Sequence, residues 1–251
     1  MCNRYTPGDS EHPHYRARLA INAHAHPAMP RRRIGPWQVG GFFANAPNKS
    51  VDWKVGQWGL IRPSNPRRWD YVGKPAEIEA KLAAGKEPQR RSTNNARSET
   101  MRKSPVFGPA WRANRRCIIP AVSFDEPCHE PEHKGWWEFQ RSDGQPWGVA
   151  GLWNEWIDHA TGEIVPNYTM VTVNADDHEL MRRMHRPEFE ADGKTLKVPQ
   201  DKRGILVLEP SDWEAWLFGS QDEALGLLKL PPPSIYDGGL IDRKPQQQSL
   251  V

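Results

Sequence analysis

The stretch RCIIPAVSF, residues 116–124, decides the fold, and DEPCHE, residues 125–130, follows it without a break. Apolar and β-branched side chains crowd the first segment with no helical period, which predicts a buried strand. Pro120 has no N–H to give to a ladder, so an edge or a bend is expected there. Asp125 and Glu126 are neighbours, and on extended backbone neighbours point to opposite faces. Glu126 is expected on the face of Phe124 and Val122, with Asp125 turned away. Pro127 favours extended backbone at 126. The alternative is a turn built on Asp125 and Pro127. A carboxylate at a strand end, partly desolvated, suits a general acid/base.

Further strands are predicted outward from this one at WKVGQWGLI (53–61), WWEF (136–139), PWGVAGLW (146–153), YTMVTVNA (168–175) and GILVL (204–208). Helices are expected around Tyr15–Ile21, at 74–85 with Pro75 in the first turn and Gly85 past the end, and at 176–184. Two more are expected at 211–218, with Ser211 as N-cap, and at 221–228. Strands do not alternate with long helices, which excludes βαβ winding. The expectation is one α+β domain over 1–233, a curved, mainly antiparallel sheet flanked by short helices. Residues 234–251 follow LPPP and are polar and Gln-rich, so an unstructured tail is expected.

The chain has 251 residues and three cysteines. No apolar run of 18 residues occurs, so no membrane span is expected. The N-terminus lacks a secretory apolar region, and three widely spaced cysteines make no disulfide framework. A cytoplasmic protein with free thiols is the expectation. Residues 1–117 carry 22 Lys and Arg against 8 Asp and Glu, and the remainder carries 12 against 23. This asymmetry points to a polyanion, although a dipolar, merely solvated surface would look the same.

Cys2 lies directly behind Met1. Chain ends fray, so a terminal thiol is a poor core residue. With Met1 removed, Cys2 carries an α-amine and a thiol on adjacent carbons. In STNNARSET (92–100), Asn95 and Arg97 sit two apart and face one side if extended. His185, in MRRMHRPEFE (181–190), is either a cation at a helix end or a proton shuttle. WGLIRPSNPRRW (58–69) interleaves Trp and Arg like a single-strand binder, with Trp58 either stacking on bases or packing in the core. Cys117, Cys128, His129 and His133 match no short zinc template, and His24 and His26 read as loop residues. No metal is expected.

MC-x-RY, WGLI, NARSET, RRCIIPAVSFDE, GLW, YTMVTVNA and MHRP…DKRGILVLEPSDWEAWL occur in that order. Together they resemble the SRAP family, the SOS response-associated peptidase-like proteins that shield abasic sites in DNA, over Cys2 to Leu217. The resemblance implies a barrel-like fold, no cofactor, a monomer that joins the nucleoid when DNA is damaged, and single-stranded DNA with abasic sites as partner. It implies that Cys2 forms the covalent link, with Asn95, Glu126 and His185 as its catalytic companions. It further implies DNA contacts at Arg4, Trp58, Arg97 and, after an insertion, Arg203. Three departures stand out: Asn3 where Gly is common, SFDEP where G-x-Y-E-W is usual, and WGLIR for WGLIP. Two other functions fit the same residues, an N-terminal-nucleophile peptidase and a non-covalent single-strand binder.

Overall fold

The computed structural model describes residues 2–22, 29 and 32–241. Five strands close on themselves: β2 (Val39–Asn45), β3 (Val51–Trp58), β8 (Ile164–Asn174), β7 (Trp147–Ile157) and β5 (Arg116–Cys128), with β5 returning to β2. All these pairings are antiparallel except β3 with β8. β1 (Arg4–Pro7) and β6 (Gly135–Arg141) extend the sheet beside β5; β4 (Asn95–Arg97) and β9 (Arg203–Ile205) lie on β8; β10 (Val207–Leu208) lies on β7. The expected α+β barrel is what forms.

Alternation along the strands makes two cores. Phe42, Trp58, Ile119 and Tyr168 fill the barrel, while Phe43, Trp53, Ile118 and Val171 face outward. The outward set is covered by α1 (Pro13–Arg16), α3 (Gly108–Arg112), α4 (Trp213–Phe218) and α5 (Gln221–Gly226), through Tyr15, Trp111, Trp213 and Trp216. The remaining helix, α2 (Pro75–Ala83), buries no residue. Its bounds and its Gly85 stop, at φ +67°, match the expectation.

Pro120 sits where β5 changes neighbours. Its Ile118 side pairs with β2 and its Ala121 side with β1, so no ladder N–H is required between them. Just beyond lies a β-bulge: β1 pairs Pro7 with Ala121 and Thr6 with Ser123, skipping Val122. Val122 is therefore 45% exposed and does not share the face of Phe124, contrary to the simple count. The extra residue shifts the parity of the strand. Cys117, Ile119 and Ala121 point inward before the bulge, and Phe124 and Cys128 point inward after it.

Three local expectations fail for physical reasons. Residues 176–184 form only a 3-10 turn at Met181–Arg183, because the Asp176 carboxylate binds the Asp201 and Lys202 N–H groups and His178 Nδ1 accepts from Leu180 and Met181. Such side chains compete with helical bonding. Ser211 lies in a 3-10 turn at Pro210–Asp212 and caps nothing; Ser220 makes the capping box instead, with Glu223 of α5. The tail expected to be unstructured from 234 includes a strand, β11 (Tyr236–Leu240), paired with β6. Tyr236 packs on Phe139 and Trp147, and Gly238 leaves room for the Phe139 ring. His24, His26 and residues 242–251 lie outside the described residues.

Candidate active site

The β1 strand brings Cys2 to one end of the barrel. Tyr5 bonds to Ile34 on one side and pairs with Phe124 of β5 on the other. Cys2 is fully buried, the opposite of a frayed end. Asn95 Nδ2 donates to its carbonyl at 2.7 Å, and Asn94 Nδ2 donates to the same oxygen at 3.3 Å. The Cys2 thiol donates to Arg4 O at 3.2 Å. Burial first, and the Glu126 charge second, hold that thiol well above its ordinary pKa.

Glu126 is where the bulge matters. The shift in parity turns it inward, between Phe124 and Cys128, and it is fully buried. Neither carboxyl oxygen accepts a hydrogen bond among the described residues. Burial pushes its pKa up to about 7, although the charged amino terminus pulls the other way. Asp125 faces outward as expected and lies between the Arg4 and Arg33 guanidiniums, at 3.0 and 2.8 Å. Its pKa is still raised, because burial outweighs both arginines.

His185 approaches Glu126 Oε2 with Nε2 at 3.3 Å. The same nitrogen lies 3.1 Å from Arg203 O. A carbonyl can only accept, so the ring carries its proton on Nε2. Burial, followed by the charge of the amino terminus, lowers the His185 pKa to about 3. The site thus pairs a neutral imidazole with a carboxyl that is close to half-ionised at neutral pH, a combination suited to moving protons in either direction.

Cys2, Asn95, Glu126 and His185 therefore lie together in one buried cluster. The four residues expected to touch DNA do not share one surface. Trp58 is fully buried, edge-on to Tyr5, and donates through Nε1 to Asn94 O, so its face is closed to bases. The Arg203 side chain is 4% exposed and forked onto Glu99, which assigns it to the interior. Arg97 is half-exposed and ion-paired with Asp201. Arg4 is partly exposed, over the Trp136 ring at 4.0 Å. The sequence reading missed two neighbours of these residues: Asn94, on the Cys2 carbonyl, and Lys202, whose ammonium donates to the Met184 and His185 carbonyls. Asn94 stands beside Asn95 in STNNARSET with nothing to single it out, and Lys202 gave no signal, since its partners are main-chain carbonyls. Among the described residues no His/Cys/Asp/Glu cluster could hold a metal ion, and no helix is long and apolar enough to cross a membrane.

No curated protein matches the chain. Among solved structures, a protein from Bordetella bronchiseptica is 27% identical, with a TM-score of 0.72 over 96% of this chain and 100% of that one. A protein from Bacteroides thetaiotaomicron is 18% identical, with a TM-score of 0.63 over 97% and 93%. A phage-related protein from Bordetella bronchiseptica is 16% identical, with a TM-score of 0.56 over 96% and 95%. These last two speak for the fold alone. The pattern of the SOS response associated peptidase (SRAP) family matches residues 1–236, and the chain belongs to that family.

Proposed function

We propose that this protein captures abasic sites in single-stranded DNA by a covalent bond from Cys2, after Met1 is removed. The observation that carries this reading is the Cys2 carbonyl held by Asn95 beside the buried Glu126–His185 pair. An abasic sugar opens to an aldehyde. The Cys2 α-amine, with an ordinary pKa of about 7.7–8.0, is partly neutral and attacks it. A C–N bond forms and water leaves, giving an imine. The thiol then adds across the C=N bond: sulfur joins the carbon, and the π pair goes to nitrogen and takes the proton. The product is a five-membered thiazolidine. Glu126 moves protons at the amine and the departing water, and His185 assists ring opening.

The raised thiol pKa favours this order over a peptidase that opens with a thiolate, because a thiol kept protonated is a poor first nucleophile. Family membership supports a DNA-damage setting. Arg97 and Arg4 remain the exposed cations beside the site that suit phosphate.

The test is a crosslinking assay with abasic and intact single strands. Cys2→Ala should abolish the adduct, while Cys117→Ser and Cys128→Ser should retain it. One residue inserted between Met1 and Cys2 should also block it. An adduct from that extended protein, with Cys2 verified as internal, would sink the thiazolidine. Release of Met1 without any DNA adduct would favour the peptidase, and salt-sensitive binding alone would favour a non-covalent module.

A further inference from the structure

We propose that Lys202 is a positioning residue for His185, acting across the insertion that separates the histidine from Arg203. The proposal rests on the reading of the site given above. His185 has φ +66°, a left-handed conformation that a residue with a Cβ adopts only when its surroundings impose it. Three contacts impose it here. The His185 N–H donates to Pro127 O at 2.6 Å. The Lys202 ammonium donates to His185 O at 2.9 Å and to Met184 O at 3.0 Å.

Lys202 is itself fixed before its side chain reaches out. Its N–H donates to Asp176 Oδ1 at 2.8 Å, and its carbonyl accepts from Ala175 N at 2.8 Å, just past the end of β8. The side chain is buried, and among the described residues it makes no ion pair. A buried ammonium bonded only to carbonyls is costly unless the geometry it enforces is needed. What it enforces is the His185 backbone, and through it the place of the ring, whose Nε2 lies 3.1 Å from Arg203 O and 3.3 Å from Glu126 Oε2. Residues 186–202 lie between His185 and Arg203 in sequence, so chain connectivity alone does not hold the two together. Lys202 touches none of the reacting atoms, so its effect passes through His185.

The experiment compares full-length wild type with Lys202→Met and Lys202→Arg. It reads single-turnover adduct formation, affinity for an intact single strand, and the nitrogen NMR signals of the His185 ring at neutral pH. Lys202→Met should slow adduct formation by about 10–100-fold, the scale of a misplacement near 1 Å. Affinity should stay unchanged, the His185 ring signals should move, and Lys202→Arg should recover most of the rate. In a His185→Ala background, Lys202→Met should add nothing. A further drop in that background, or unmoved ring signals, would overturn the proposal. Lys202→Gln supplies the same comparison if the methionine variant does not fold. If wild type makes no adduct, the crosslinking reading fails while the ring signals still decide the role of Lys202.

Discussion

At the scale of single residues, Glu126 carries the sharpest consequences. Its carboxyl is buried without a hydrogen-bond donor among the described residues, and its pKa rises from 4.5 to about 7. Between those values the folded chain holds a proton that the unfolded chain has released, so stability falls as pH rises through this window. Glu126→Gln keeps the shape and removes the charge. It should be more stable than wild type by up to about 3 kcal/mol above pH 7, with little difference below pH 5. Chemical denaturation at several pH values checks this, and a pH-independent difference would refute it. His185 has the opposite sign, since its lowered pKa costs stability as pH falls, but it is common to both proteins and cancels in the comparison. The same variant should slow adduct formation by roughly 10²–10⁴-fold, the usual loss for a general acid/base. Asp125→Asn should leave the rate of the folded protein nearly intact, because the Asp125 carboxylate lies against Arg4 and Arg33 rather than beside Cys2. Asp201 holds Arg97 in an ion pair that a phosphate of the proposed strand would have to displace. Asp201→Asn should therefore tighten binding to intact single strands and Arg97→Ala should weaken it, both measurable by fluorescence anisotropy.

At the scale of elements, the β5 bulge decides which carboxylate turns inward toward Cys2. Counting alternate residues along RCIIPAVSFDEPC without a bulge puts Asp125, not Glu126, on the face of Cys117, Ile119 and Ala121. Skipping Val122 reverses that assignment. Deleting Val122 should therefore be tolerated. The strand would run Ala121, Ser123, Phe124 in plain alternation, with Glu126 still inward, and adduct formation should survive. Loss of the adduct from a folded deletion variant would show that the bulge does more than absorb one residue. The barrel strands were legible because apolar side chains recur there with period two or in unbroken runs. Glu126 was placed beside Phe124 from local alternation alone, which holds after the bulge. The bulge itself was not legible, since nothing in Ala-Val-Ser marks an extra residue. The expected helix at 176–184 was misread because its Asp176 and His178 bond to the backbone, a choice that depends on Lys202 far along the chain. Composition left Trp58 open between stacking on bases and packing in the core, and the closed barrel decides for the core, against Tyr5 and Asn94.

At the scale of the whole molecule, the charge asymmetry between the halves is partly folded away. Arg4 and Arg33 pair with Asp125, Lys54 with Glu155, Lys49 with Glu214, and Arg97 with Asp201, each a cation of the first half on a carboxylate of the second. Single-strand affinity should still fall with salt as counterions are released, but with a slope set by the few cations that stay available rather than by all 22. A titration of affinity against salt measures that slope, and a flat line would make the basic half a solvated surface only. The barrel also draws its site from distant parts of the chain. Cys2 is the first of these residues to leave the ribosome, while Asn95, Glu126, His185 and Arg203 follow much later. At about 5–20 residues per second, the nascent Cys2 waits roughly 10–40 s for the last of them. Through that interval the segment around Cys2 stays open to solvent, whereas in the folded protein Cys2 is fully buried. On the proposed chemistry, an aminopeptidase would meet the N-terminus most readily in those seconds, before the barrel closes around Cys2.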